Sequence, residues 1–190
     1  MAASAVELCA TALLKIGAQP IASLAAETVE AECARRLYPL VRDALLSVYP
    51  WNFTLAQIDL TAEAEAPVAD FAYGFALPAD HLRTASVGAR GSSRGLAYRV
   101  QGNRILCGVP AITLSYQRRV DEAEMPAFFL PVLVTRLAAE LCVPLTENTG
   151  RAAELLRLAE AELRAARLVD SQQGTPRRIN DFTLIGARLA

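Results

Sequence analysis

Apolar positions along this chain follow two periods. From Val6 to Val48 they recur every three or four residues; from Phe53 to Tyr116 they alternate with polar or small ones; from Phe129 to Ala166 the helical spacing returns. The first change falls on Tyr49-Pro50-Trp51-Asn52-Phe53. Pro50 has no N–H to continue a helix and biases Tyr49 towards an extended conformation. The only tryptophan follows at once, flanked by Tyr49 and Phe53. Each ring of such a cluster can bury about 150–250 Å², enough to tie a helical layer to a sheet. Trp51 reads as a core anchor, with ligand stacking as the competing role.

Upstream of the junction two helices are expected. Ser4-Ala5-Val6-Glu7 has the form of a capping box, and Gly17 suits the position just past a helix end, so helix one spans Ala5 to Ile16. Its stripe is Val6, Cys9, Leu13 and Ile16. Helix two starts near Thr28, with Glu30 and Glu32 facing the helix dipole. Its predicted buried stripe is Val29, Cys33, Leu37, Leu40, Ala44 and Val48, and Glu32 and Arg36 are spaced to pair. Pro39 predicts a kink rather than a stop.

An insertion from Trp51 to Arg119 reads as antiparallel β structure. Leu55 to Leu60 is a first strand, Phe71, Tyr73, Phe75 and Leu77 alternate strictly, and Leu82 to Val87 follows Pro78-Ala79-Asp80. Tyr98–Val100 and Ile105–Cys107 flank a Gly102-Asn103 hairpin turn, and Ile112, Leu114 and Tyr116 close the sheet. Between them, Gly88 to Gly95 reads as a flexible basic loop. Helix three opens at Met125-Pro126, buries Phe129, Leu133, Leu137 and Leu141, and ends at Cys142-Val143-Pro144. Helix four starts near Thr146 and carries Ala152, Leu156, Ala159, Leu163 and Ala166, with Arg and Glu at i,i+3 and i,i+4 spacings on its other faces. Beyond Asp170, Gly174 and Pro176 stop the helical pattern, and Phe182, Leu184, Ile185 and Leu189 form an apolar tip.

The fold class is therefore α+β: a four-helix body (1–50 and 120–170) with an antiparallel β domain (51–119) inserted between helices two and three. Residues 171–190 form an extended C-terminal arm. At 190 residues and 53% hydrophobic, the chain can bury a sizeable core. Its longest apolar runs are too short to cross a bilayer, and Glu7 with no basic n-region excludes a signal peptide, so a soluble protein with no membrane partner is expected. The net charge of −1 argues against a generic nucleic-acid binder. All basic residues but Lys15 are arginine, which suits bidentate contacts between subunits and would equally follow from a GC-rich genome.

No motif for chemistry stands out. Cys9, Cys33, Cys107 and Cys142 form no C-x-x-C pair, and His81 stands apart from them, so neither a metal nor a cofactor is expected. The cysteines read as reduced core thiols of a cytosolic protein. Phosphate-loop and dinucleotide fingerprints are missing, and Gly91-Ser92-Ser93-Arg94-Gly95 lacks the strand-to-helix setting of a nucleophile elbow. Asp80 with His81 offers a base, against a surface turn; Asp121, Glu122 and Glu124 offer paired carboxylates, against service to a helix N-terminus. Arg90 and Arg94 in the Gly88–Gly95 loop suit a DNA backbone contact, or simple solvation of a hairpin tip. The chain reads as a non-enzyme. A DNA-binding regulatory or packaging factor using Arg90, Arg94, Arg118 and Arg119 is the alternative to a structural role.

Read in order, "KIGAQPI", "ECARRLYPLVRDALLSVYPWNFT", "YGFALPADHLRTASV", "YRVQGNRILC", "LSYQRRV" and "FFLPVLVTRLAAELCVPLT" resemble the tail tubular protein A family of short-tailed bacteriophages, the head-to-tail adaptors or connectors. The resemblance spans about Val6 to Leu168 and is most specific from Tyr38 to Phe53. It implies a virion structural protein at the head–tail interface, assembled in the bacterial host cytoplasm. Its protomers would form a homo-oligomeric ring, a dodecamer, beneath the portal protein. The ring would join a downstream tail protein (nozzle or tail tube) and continue the channel through which double-stranded DNA is ejected. It implies no catalytic residue. Tyr49, Pro50, Trp51 and Phe53 map to the helix–sheet junction. The short Gly/Ser/Arg loop with Arg90 and Arg94 departs from the longer tail-contacting loop the resemblance would imply, and is read as a lumen or tail contact. Related adaptors dock C-terminal segments on the portal, and Gln173-Gly174-Thr175-Pro176 resembles such a tail. The segment with Arg177, Arg178, Phe182, Leu184, Ile185 and Leu189, which cannot bury its apolar side chains alone, is expected to be the portal-docking arm.

Overall fold

The computed structural model describes residues 3–174. Of the expected arm 171–190, Ser171 is the last residue of the fourth helix, and the part from Thr175 onward lies outside the described residues. Four helices and two small antiparallel sheets make up an α+β fold, the strands all falling between the second and third helices. The order is α1 (Ala5–Ile16), α2 (Val29–Val48), β1 (Leu55–Thr61), β2 (Tyr73–Ala76), β3 (His81–Ala89), β4 (Tyr98–Gln101), β5 (Arg104–Cys107), β6 (Ala111–Arg118), α3 (Leu130–Thr146) and α4 (Thr149–Ser171).

Local signals account for the helix ends. The Ser4 hydroxyl accepts from the Glu7 N–H, the Glu7 carboxylate accepts from the Ser4 N–H at 2.9 Å, and Gly17 closes α1 in the left-handed region. Thr28 caps α2 through the Ala31 N–H, and Asn148 caps α4 through the Arg151 N–H at 2.9 Å. α2 runs on through Pro39, and α3 includes Pro144 in its last turn, past the expected stop at Cys142-Val143-Pro144. α3 begins at Leu130 rather than Met125, because Glu122–Glu124 forms a separate 3-10 turn.

α3 is the central helix. Val132, Leu133, Val134, Leu137, Ala138 and Leu141 bury nearly all round it, as a helix without a polar face requires. α1 contributes Leu8, Cys9, Ala12, Leu13 and Ile16, so Leu8 and Ala12 lie in the core and Val6 is only half-buried. Lys15 donates to Thr135 Oγ1 at 2.5 Å, satisfying a hydroxyl buried in α3.

α2 corrects the expectation most sharply. Its core face is Ala31, Ala34, Tyr38, Val41, Leu45 and Leu46. Of the predicted stripe, Cys33 and Leu37 are half-buried against the core, while the rest faces outward: Val29 is 66% exposed, Leu40 68% and Val48 49%, and Ala44 is exposed. α2 has apolar residues on two adjacent faces. Ala31 and Ala34 leave room for close helix approach, and only the packing selects their side. On α4, the Arg and Glu side chains at i,i+3 and i,i+4 spacings form no ion pairs among the described residues; Arg151 donates to the Lys15 carbonyl at 2.6 Å. The Glu32–Arg36 pair on α2 does form, at 2.8 Å.

The insertion holds two three-stranded sheets rather than one, ordered β1-β6-β3 and β2-β5-β4. Phe75, Leu77, Ile105 and Cys107 from one meet Val87, Ile112, Leu114 and Tyr116 from the other in a single core. The β4–β5 turn has Gly102 at φ 58°, the positive value its first central position requires. The loop after β3, expected to be flexible, folds back on itself. Ser86 Oγ donates to the Ser93 carbonyl at 2.6 Å, the Leu96 N–H to the Val87 carbonyl at 3.1 Å, and the Gly91 N–H to Thr113 Oγ1 at 3.0 Å. A Cβ on Gly88 would meet Ser92 O at 2.1 Å and Arg94 N at 2.5 Å, both backbone atoms. Gly88→Ala must therefore displace the loop, at an expected cost of about 1–3 kcal/mol. An unchanged denaturation midpoint would show that the loop has no fixed closure.

Candidate functional site

Pro50 ends α2 by withholding an N–H, which leaves the carbonyls of the last turn without helical donors. Two side chains supply them. The Trp51 indole Nε1 donates to the Leu45 carbonyl at 2.8 Å, and the Gln117 side-chain amide, arriving on β6, donates to the Leu46 carbonyl at 3.0 Å and also to that of Tyr49. Trp51 is 0% exposed, inside the helical core. Its ring meets Tyr49 edge-on at 4.9 Å and Phe129 at 5.2 Å, and Phe53 meets Phe129 at 5.2 Å. The core-anchor role is the one the structure shows; full burial leaves no indole face for a ligand to stack on.

α4 is clamped to the same junction. The Asn52 N–H donates to both Asp170 carboxylate oxygens at 3.1 Å, and Asn52 Nδ2 donates to the Asp170 carbonyl at 2.7 Å. Burial raises the Asp170 carboxyl above the usual range, and these donors only partly offset it. Arg167 lies over the Tyr49 ring at 5.4 Å. The junction thus joins α2, β6, α3 and α4 within a few residues.

A second polar cluster holds α2 against the segment after β6. The Tyr38 hydroxyl donates to Glu122 Oε1 at 2.6 Å and Arg42 donates to the same oxygen at 3.3 Å. Arg42 and Arg119 both donate to Asp43 Oδ1 at 3.0 Å. Arg118 pairs with Glu124. The acids around Asp121 are therefore tied into structural pairs rather than facing each other. Burial pushes the Glu122 and Asp43 carboxyls up, but the hydroxyl and guanidinium donors outweigh it and hold both below their ordinary values. Cys9, buried nearby, has its thiol pushed up to about 12, mainly by burial and then by the Glu122 charge. That makes it a poor nucleophile.

The sign of the pH effect follows. A depressed carboxyl stabilises the fold fully above its unfolded value, 4.5 for Glu122 and 3.8 for Asp43, and that contribution is lost as pH falls through the lower folded value. Glu122→Gln is expected to melt below the wild type at neutral pH, with the gap narrowing as pH drops below 4.5. A gap that persists unchanged in acid would show that the charge contributes nothing.

The remaining candidates are scattered. His81 Nε2 lies 3.0 Å from Thr84 Oγ1 and its ring stacks on Tyr116, whose hydroxyl donates to Asp80 at 3.2 Å. His81 and Asp80 thus engage Thr84 and Tyr116 instead of each other, and burial lowers the His81 value against the pull of Asp80. Arg90 is exposed and lies 3.4 Å from Asp59, while Arg94 has no carboxylate partner among the described residues. Of the four arginines in the DNA-binding alternative, Arg90, Arg118 and Arg119 are thus each beside a carboxylate. Arg177, Arg178, Phe182, Leu184, Ile185 and Leu189 lie outside the described residues.

Sequence reading missed Gln117, Asp170 and the Tyr38–Arg42–Glu122 cluster. Gln117 and Asp170 looked like ordinary surface residues. Tyr38 and Arg42, one helical turn apart, were the available signal for the cluster. Among the described residues no group of three His, Cys, Asp or Glu is placed to hold a metal, and no helix is long and apolar enough to cross a membrane. Neither a protein-family model nor a curated protein matches the chain.

Proposed function

We propose that this chain is the protomer of a head-to-tail adaptor: a ring, dodecameric by the resemblance, that joins a portal to a tail and continues the DNA channel. The observation that carries this reading is the topology. Four helices are interrupted between α2 and α3 by a two-sheet insertion, with Tyr49-Pro50-Trp51-Asn52-Phe53 at the seam. That is the architecture the ordered motifs imply.

Other features suit such a role. The junction fastens helices and sheets into one body, as a part under axial load from packaged DNA requires. Arg157, Glu160 and Arg164 on α4 form no ion pairs among the described residues, which leaves them for contacts between protomers. Arg90 and Arg94, exposed on the folded loop after β3, would serve the lumen or tail-protein contact. The arm after Gly174 reaches the portal. The virion's head–tail interface is the corresponding location, reached by assembly in the host cytoplasm.

Electron microscopy of the purified chain, alone and mixed with the portal of the same virus, tests the reading. A ring stacked coaxially on the portal is expected. A monomer that ignores portal rings and binds DNA with steep salt dependence would overturn it in favour of the DNA-binding factor.

A further inference from the structure

The outward stripe of α2 forms one wall of an apolar groove. Leu37, Leu40, Ala44 and Val48 line one side, Val132 the base, and Ala159 and Leu163 of α4 the other side, around a cavity of about 410 Å³. Arg136 and Glu140, paired at 2.6 Å, stand on the rim with Glu160. Glu160 has no ion-pair partner among the described residues. A run of apolar side chains this long on an otherwise well-capped helix calls for an occupant.

The position of the chain at residue 174 identifies one. Asp170 is tied to Asn52, and a Cβ on Gly174 would lie 3.8 Å from Asn52 Oδ1. The described chain therefore stops beside Asn52, four residues beyond Val48, the last α2 residue lining the groove. Gly174 and Pro176 suit a reversal there. The residues that follow include Phe182, Leu184, Ile185 and Leu189, large apolar side chains of the kind such a groove takes up. The eight residues from Gly174 to Phe182 reach up to about 26 Å when extended, ample to turn back from Asn52 onto the groove. Arg177, Arg178 and Arg188 bring charge complementary to Glu160.

We infer that in the free protomer the groove between α2, α3 and α4 is the docking site of the chain's own segment 175–190. This assignment does not depend on the adaptor reading. If that reading holds, the segment leaves its own groove when it meets the portal.

Two measurements on the full chain test it. With the photo-crosslinker p-benzoylphenylalanine in place of Leu40, irradiation in dilute solution is expected to link position 40 to residues 182–189 of the same molecule. Links between molecules would put a second copy in the groove and overturn the assignment, as would the failure of any link to 175–190. Leu40→Asp changes an exposed side chain, so the body should still fold. Amides of residues 180–189 are then expected to exchange about tenfold faster than in the wild type, with those of α1 unchanged. Equal exchange in 180–189 would also overturn it.

Discussion

Trp51→Ala is expected to lower the unfolding free energy by about 3–5 kcal/mol, the largest loss from any single substitution proposed for this chain. The indole is fully buried, touches Tyr49, Phe53, Phe128 and Phe129, and caps the Leu45 carbonyl. Alanine would leave a cavity at the meeting point of α2, α3 and the sheets, and a carbonyl with no donor. Trp51→Phe separates the two contributions: it retains most of the packing and loses the hydrogen bond, so a smaller loss of about 1–3 kcal/mol is expected. Denaturant unfolding of the three proteins measures both. An alanine variant with the wild-type midpoint would mean that the junction does not hold the layers together.

On the adaptor reading, a chain ending at Gly174 is expected to lose attachment to the portal altogether. The four helices, both sheets and the Asn52–Asp170 clamp all lie before that residue. What the truncation removes is the apolar set Phe182, Leu184, Ile185 and Leu189 with its neighbouring arginines. Each of these apolar side chains buried on a partner is worth roughly 1.5–3 kcal/mol before the cost of ordering the segment. If both the adaptor reading and the groove assignment hold, the groove and the portal compete for the same residues, and Leu40→Asp should strengthen portal binding. Co-sedimentation of truncated and full-length chains with purified portal rings measures the effect. Full attachment by the truncated chain would remove the arm from the adaptor mechanism.

Where the sequence was legible, the signal was local. The Ser4–Glu7 capping box and Gly17 bound α1 to the residue, Thr28 starts α2, and Pro50 ends it, because each acts on backbone groups within four residues of itself. Strict alternation placed Phe75, Ile112, Leu114 and Tyr116 on inward faces for the same reason: side-chain direction in a strand follows from the backbone alone. The weight of Trp51 was legible too, since a lone tryptophan at a change of period has few other uses.

Only the tertiary structure decided matters that depend on residues far apart in the chain. α2 offers two apolar faces of similar hydrophobicity. Its choice of the Ala31–Ala34–Tyr38 side rests on the fit of small residues against neighbouring helices, and it leaves Leu40 and Val48 to line a groove. Gln117 and Asp170 carry no sign in their own neighbourhood that one would cap α2 and the other clamp α4. Their partners lie 71 and 118 residues away. The division of the strands into two sheets likewise depended on which edges met across the insertion. Hydrogen bonds and packing between distant segments are determined by complementarity of surfaces that exist only once the chain has folded, whereas caps, turns and periodicity are written in the backbone chemistry of a few consecutive residues.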